Sequence, residues 1–212
     1  AIRHLAGYAF FDDEETIATF ARDVMFTHKN EEALAGGEFF ARVTYRVLNG
    51  QNPKNAIEEV AAQMSTFIQE KVAIAIKKVN EATDENRDLY KEQFCDDLAL
   101  TSMAKLWDVG RSEPIRVGKA SPTEGTLPGA VYFILKYYEK EDALNKALIA
   151  NTMVGGDNAS RAIAIGMVLG GYKGIKSIKF EWMNALDQYE YCENLLDTLP
   201  LLREEYRLGA IT

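Results

Sequence analysis

The run Val154-Gly155-Gly156-Asp157-Asn158-Ala159-Ser160-Arg161 concentrates the chemistry of this 212-residue chain. A Gly-Gly pair leading into Asp and then a helix sets a carboxylate at a helix N-terminus. Backbone N–H groups converge there, and glycines allow close approach. Ser160 falls one helical turn beyond Asp157 and can bring a hydroxyl into the same small volume. A metal ion, an anion or a sugar hydroxyl suits such a mouth. A plain N-cap with no ligand suits it equally, because Asp is a preferred cap. The small residues Ala162, Ala164, Gly166, Gly170 and Gly171 alternate with Ile163, Ile165, Met167, Val168 and Leu169, which predicts a central helix in close contact with its neighbours.

Other chemistry-bearing residues read more blandly. His28 follows Thr27 near a helix end and is expected to make a structural hydrogen bond or to face the negative end of the helix dipole. His4 is expected at the surface. Cys95, beside Phe94, and Cys192, beside Tyr191, read as core thiols, since no His is placed to activate either. Tyr132, Phe133, Tyr137 and Tyr138 read as helix core, although one of them, or Tyr172, could face a base. Arg116 and Lys119 are cations that could meet a diphosphate. The cluster Asp12 to Glu15 reads as a helix start on a solvated face.

The elements that must position these groups are helical nearly throughout. Ile17, Phe20, Ala21 and Val24 share one face after the acidic turn. Asn30 caps a helix through Phe39, Phe40, Val43 and Val47 that stops at Asn49-Gly50. Asn52-Pro53 opens the next helix, with Ile57, Val60, Ala61 and Met64 as its stripe. Further helices are expected at Phe67–Val79, Asp84–Trp107, Leu127–Tyr138, Glu141–Met153, Asp157–Gly171 and Phe180–Gln188, and from Glu193 towards Arg207. Val109 to Gly125, rich in Gly and Pro, is the longest irregular stretch. Period-two alternation is scarce, so the class is all-α.

A length of 212 residues with 47% hydrophobic content suits one domain with a substantial core. The net charge of −8 argues against phosphate-backbone binding and against a polybasic membrane role. No apolar run is long enough to span a bilayer and no signal peptide is visible. The expectation is a soluble protein, cytoplasmic or organellar, whose start at Ala1 reflects processing or truncation.

Read together, these segments resemble the C-terminal part of the ADP-ribosylglycohydrolase superfamily, above all its J1-crystallin-like branch. Thr126-Leu127-Pro128-Gly129-Ala130 is similar to that family's Thr/Ser-x-Pro-x-Ala helix. Gly155-Gly156-Asp157 is similar to its helix mouth, and Ile178-Lys179-Phe180-Glu181-Trp182 to its Ile-Pro-x-x-Trp turn. Thr27-His28 with Asn30 fits as well, and the resemblance covers about Phe11 to Gln188. It implies a compact orthogonal bundle of helices with a cleft for ADP-ribose, formed by a single domain over 1–212 that lacks the family's N-terminal helices and carries a C-terminal extension at 190–212. Active members hold two Mg²⁺ ions with carboxylates and a hydroxyl, through a Gly-Gly-Asp-x-Asp-Thr/Ser motif. Asp157 matches the first Asp and Ser160 the hydroxyl, so these two are the residual metal positions. Gly155, Gly156, Asn158 and Arg161 are the substrate-facing positions, and no residue is assigned a catalytic role.

Two departures matter. Ala159 stands where the second Asp belongs, and Arg161 brings a positive charge, moving the local charge by about two against a dication. The J1-like branch carries the same Gly-Gly-Asp-Asn-Ala-x-Arg pattern. Three readings follow. The favoured one is a catalytically degenerate member serving as a crystallin-like or assembly protein, alone or with a protein partner or second copy, and needing no cofactor. The second is a Mg²⁺-dependent hydrolase of ADP-ribosyl bonds whose N-terminal segment is missing. The third is a non-catalytic ADP-ribose or nucleotide-binding module, in which Arg161 pairs with a phosphate or with Asp157.

Overall fold

The computed structural model describes residues 3–81, 122–154 and 156–198. Every regular element among them is helical. A 3-10 turn at Arg3–Ala9 precedes α1 (Glu14–Asp23), α2 (Glu31–Leu48), α3 (Pro53–Ala62) and α4 (Thr66–Glu81). After the undescribed stretch come α5 (Thr123–Tyr137), α6 (Ala143–Val154) and α7 (Asn158–Lys173). A second 3-10 turn (Ile175–Ser177), α8 (Phe180–Asn184) and α9 (Tyr189–Leu196) follow. The helix expected at Asp84–Trp107, with Cys95, lies outside the described residues. So do Arg116, Lys119, Gly155 and the apolar residues beyond Thr198.

Local chemistry sets the helix starts. Asp13 caps α1 by accepting the Thr16 N–H at 2.8 Å, and Asn52 caps α3 by accepting from Lys54 N–H at 2.9 Å, with Pro53 as the first helical residue. Asn30 stands at the N-cap of α2 but makes no side-chain cap bond; Glu31 and Glu32 complement the dipole there instead. α2 ends as expected at Asn49, and Gly50 takes φ +88°, a conformation that glycine adopts without strain.

The core lies between α2, α3, α4, α5, α6 and α7. α5 is its centre: every residue from Leu127 to Leu135 is buried, the signature of a helix surrounded on all sides. Tyr132, Phe133, Tyr137 and Tyr138 are core residues, as their pattern predicts. Two expectations change here. α5 begins at Thr123, capped at Pro122, so the irregular stretch ends earlier than predicted. Pro128 sits inside the helix, where it forfeits only a bond to the carbonyl of the exposed Glu124. The Gly-rich helix α7 is not the central one. It buries Arg161, Ala164, Ile165, Val168 and Leu169 but leaves Ile163 exposed. A methyl group at Gly166 or Gly170 would meet nothing within 4 Å; only Gly171 comes close to a neighbour, the Leu48 side chain.

Two further expectations are overturned by packing, and a third holds except at one residue. His4 is fully buried, not at the surface, because the first 3-10 turn folds back on the α1–α2 pair. Cys192 is exposed rather than core, since α9 buries none of its residues. The acidic turn at Asp12 to Glu15 does start a helix, but Glu14 is drawn out of solvent. It bonds Arg46 Nη2 at 2.9 Å, while Arg42 bridges Glu15 and Glu38, the latter at 3.0 Å from Nε. Glu15 and Glu38 hold the Arg42 guanidinium well above its ordinary pKa.

Candidate functional site

The first turns of α5 and α7 open side by side on a cleft of about 300 Å³, at the small end of ligand pockets. Its polar wall consists of His28, Thr123, Thr126, Asp157, Ser160 and Arg161. Met25, Ala33, Phe40, Ala130 and Ala164 form the apolar remainder. Helix α2 supplies Ala33 and Phe40, and the connection from α1 to α2 supplies Met25 and His28.

The close approach of α2 to α5 depends on Gly36. A Cβ there would lie 2.7 Å from Thr123 Cγ2, and Thr123 is β-branched with few rotamers to escape into. Gly36→Val is therefore expected to lower stability by about 2 kcal/mol, the overpacking penalty outweighing the gain in helix propensity. For a chain of this size the melting temperature should fall by about 4–8 °C in thermal unfolding followed by circular dichroism. An unchanged melting temperature would show that Thr123 is free to move.

At the mouth of α7 the cap is observed, and the capping residue also lines the cleft. Asp157 Oδ1 accepts the Ser160 N–H at 3.3 Å, so the carboxylate caps the helix while it lines the cleft. Gly156 turns the chain into the helix at φ +66°. Arg161 is buried, 1% exposed, and its Nε donates to Asn151 Oδ1 at 2.7 Å. Asn151, itself fully buried, donates through Nδ2 to the Asn158 carbonyl at 2.9 Å. One side chain of α6 thus fixes both the guanidinium and the first residue of α7. His28 is exposed, with Nδ1 2.8 Å from Thr27 Oγ1, the structural bond expected of it.

Asp157, Ser160 and Arg161 are brought together in the cleft. Gly156 and Asn158 are not among its lining residues: the former serves the turn, and the latter is tied to Asn151 through its backbone. Thr123 and Asn151 were not singled out from sequence. A Thr shortly after Pro122 at a helix start was the available signal for the first.

The ADP-ribosylglycohydrolase family model matches residues 1–209. The chain belongs to the ADP-ribosylglycohydrolase family. Among curated proteins no similar sequence was found. The all-helical architecture agrees with that family, and no described helix is long and apolar enough to cross a membrane.

The donor set among the described lining residues is a poor fit to a pair of Mg²⁺ ions. Among the described residues no three His, Cys, Asp or Glu side chains gather closely enough to hold a metal. Asp157 is the one carboxylate among the described lining residues, and it shares the wall with a buried guanidinium. The wall sets the N-termini of α5 and α7, the Asp157 carboxylate and the Arg161 guanidinium beside hydroxyls from Thr123, Thr126 and Ser160.

Proposed function

We propose that this chain is a J1-crystallin-like member of the family that binds an ADP-ribose-type ligand, a ribose joined to a diphosphate, without metal-assisted hydrolysis. The observation that carries the reading is the buried Arg161 on the cleft wall. It shares the cleft wall with Asp157, a residual metal position, and repulsion between cations is strong in a poorly solvated site. An anion is favoured there for the same reason. Threonine and serine hydroxyls beside it suit ribose oxygens, and Asp157 is placed to accept from a sugar hydroxyl. Ala159 removes the second carboxylate of the active pattern, which supports a degenerate metal site. A cleft that sets a carboxylate, a guanidinium and hydroxyls against an apolar floor favours a binding role over a purely structural or crystallin-like one.

Thermal unfolding with ADP-ribose, ADP and ribose 5-phosphate tests the proposal. ADP-ribose at a hundred times its Kd should stabilise by about 2.7 kcal/mol, raising the melting temperature by about 5–10 °C. The shift should survive EDTA and shrink in Ser160→Ala. No shift at high ligand concentration would leave the structural role ahead. Calorimetric titration with Mg²⁺ should show no saturable site. Stoichiometric Mg²⁺ binding that disappears in Asp157→Ala, or release of ADP-ribose from a modified protein, would overturn the proposal.

A further inference from the structure

A second hollow, a groove of about 480 Å³, lies at the far end of α7. One wall is the connection from α5 into α6, and the other runs from Lys173 through the second 3-10 turn to Lys179. The walls differ in charge. The first sets Glu141 and Asp142 against a single cation, Lys140, at the start of α6, where the helix dipole favours carboxylates. The second carries Lys173, Lys176 and Lys179 and no carboxylate. Opposite charges facing across a groove commonly close on one another. Here Glu141 and Asp142 make no ion pair with Lys173, Lys176 or Lys179. Lys173 and Lys179 rest instead over the rings of Tyr172 and Trp182, at 4.7 and 5.7 Å from the ring centroids.

Asn145 joins the two walls and also lines the groove. It is 2% exposed, and its Nδ2 donates to the Asp142 carboxylate and, at 2.9 Å, to the Ser177 carbonyl. Both of these partners are acceptors, which fixes the orientation of the amide. Its Oδ1 is therefore an acceptor, and it has no hydrogen-bond partner among the described residues. A buried acceptor left unpaired is costly, and native structures keep few of them. The groove thus presents three kinds of unmet demand: two carboxylates, an orphan amide oxygen and three ammonium groups. A simple anion suits the lysines but is repelled by the acidic wall, and a simple cation meets the reverse. A molecule with an ammonium at one end and carboxylates at the other satisfies both walls. Its ammonium has three N–H donors, enough for Glu141, Asp142 and Asn145 Oδ1. Three lysines facing it call for more than one carboxylate.

We propose that this groove binds an acidic α-amino acid, with its ammonium on the Asn145 wall and its carboxylates on the lysine wall. The volume falls in the lower half of the range of small-molecule pockets, as a ligand of this size requires. The inference does not depend on the reading of the cleft, which lies at the opposite end of α7, about 24 Å away for a helix of 16 residues.

Calorimetric titration of the full chain with L-glutamate tests it, with glutarate, which lacks the ammonium, as the comparison. L-Glutamate should bind saturably. Glutarate should bind about tenfold more weakly, because it forgoes the charged hydrogen bonds of the ammonium. Lys176→Ala with Lys179→Ala should weaken both ligands by about tenfold. The helical spectrum should not change, because both side chains are exposed. Glu141→Gln, at another exposed position, should weaken L-glutamate by about threefold and leave glutarate no weaker. Absence of saturable heat with L-glutamate up to about 20 mM overturns the proposal. Equal affinity for glutarate does so too, since it would make the groove a plain anion site. L-Glutamate binding that ignores the lysine and Glu141 substitutions also overturns it, by placing the ligand elsewhere on the chain.

Discussion

Asn151→Leu should destabilise the chain by about 3 kcal/mol, because it withdraws a hydrogen bond from a buried charged group and a second from a helix-terminal backbone. Leucine keeps the branched skeleton of asparagine, but its methyl groups are bulkier, so part of the loss is overpacking at this buried position. What is lost is specific. Arg161 Nε, now 2.7 Å from Asn151 Oδ1, is left facing apolar atoms, and the Asn158 carbonyl loses its donor at 2.9 Å. For a chain of this length the melting temperature should fall by about 6–12 °C. Asn151→Asp separates the two losses. It restores an acceptor, and a charged one, to Arg161, but sets a carboxylate oxygen against the Asn158 carbonyl. Its destabilisation should be smaller than that of the leucine variant, and its thermal shift with ADP-ribose should weaken, because the guanidinium charge is then neutralised from behind. Equal melting temperatures for the leucine variant and the wild type would mean that Asn151 does not hold the arginine.

That arrangement shows where the sequence stopped being legible. Caps and stripes are local rules, and Asp13, Asn52 and the face of Ile57, Val60 and Ala61 follow them closely. The order of the Thr-x-Pro-x-Ala, Gly-Gly-Asp and Gly-rich segments was enough to read the family, which the match over residues 1–209 shows. Arg161 is another matter. A charged residue one turn into a helix reads as solvent- or ligand-facing, since Arg is rarely fully buried unless paired. Its partner lies ten residues back on a different helix, and no periodicity announces that contact. The glycines of α7 misled for a related reason. Gly permits close approach without requiring it, and at Gly166 and Gly170 the neighbouring space is open. The closest glycine contact among the described residues, Gly36 against Thr123, joins two helices far apart in sequence.

His4 gives the second large effect, and its sign follows from burial. The imidazole is fully buried against Tyr8, the ring centroids 5.8 Å apart in an edge-to-face arrangement, and neither ring nitrogen has a hydrogen-bond partner among the described residues. Burial disfavours the imidazolium and lowers the pKa from 6.5 to about 4. Between these two values the unfolded chain binds the proton and the folded chain does not, so stability rises with pH across the window. The contribution is complete above about pH 6.5 and is lost as the pH falls towards 4, a difference of about 3 kcal/mol. Asp13 and Glu15, whose carboxyls are held below their ordinary pKa by hydrogen bonds to Thr16 and Arg42 respectively, add acid sensitivity of their own, but mainly below the histidine window. His4→Phe isolates the histidine. It removes the titrating ring and the buried N–H, so at pH 7 it should match or exceed the wild type in urea unfolding. Its stability should change between pH 7 and 4.5 by about 2.4 kcal/mol less than that of the wild type. Parallel pH curves for the two proteins would place the acid lability elsewhere, because a buried, unpartnered imidazole cannot stay neutral in one state and charged in the other without leaving that slope.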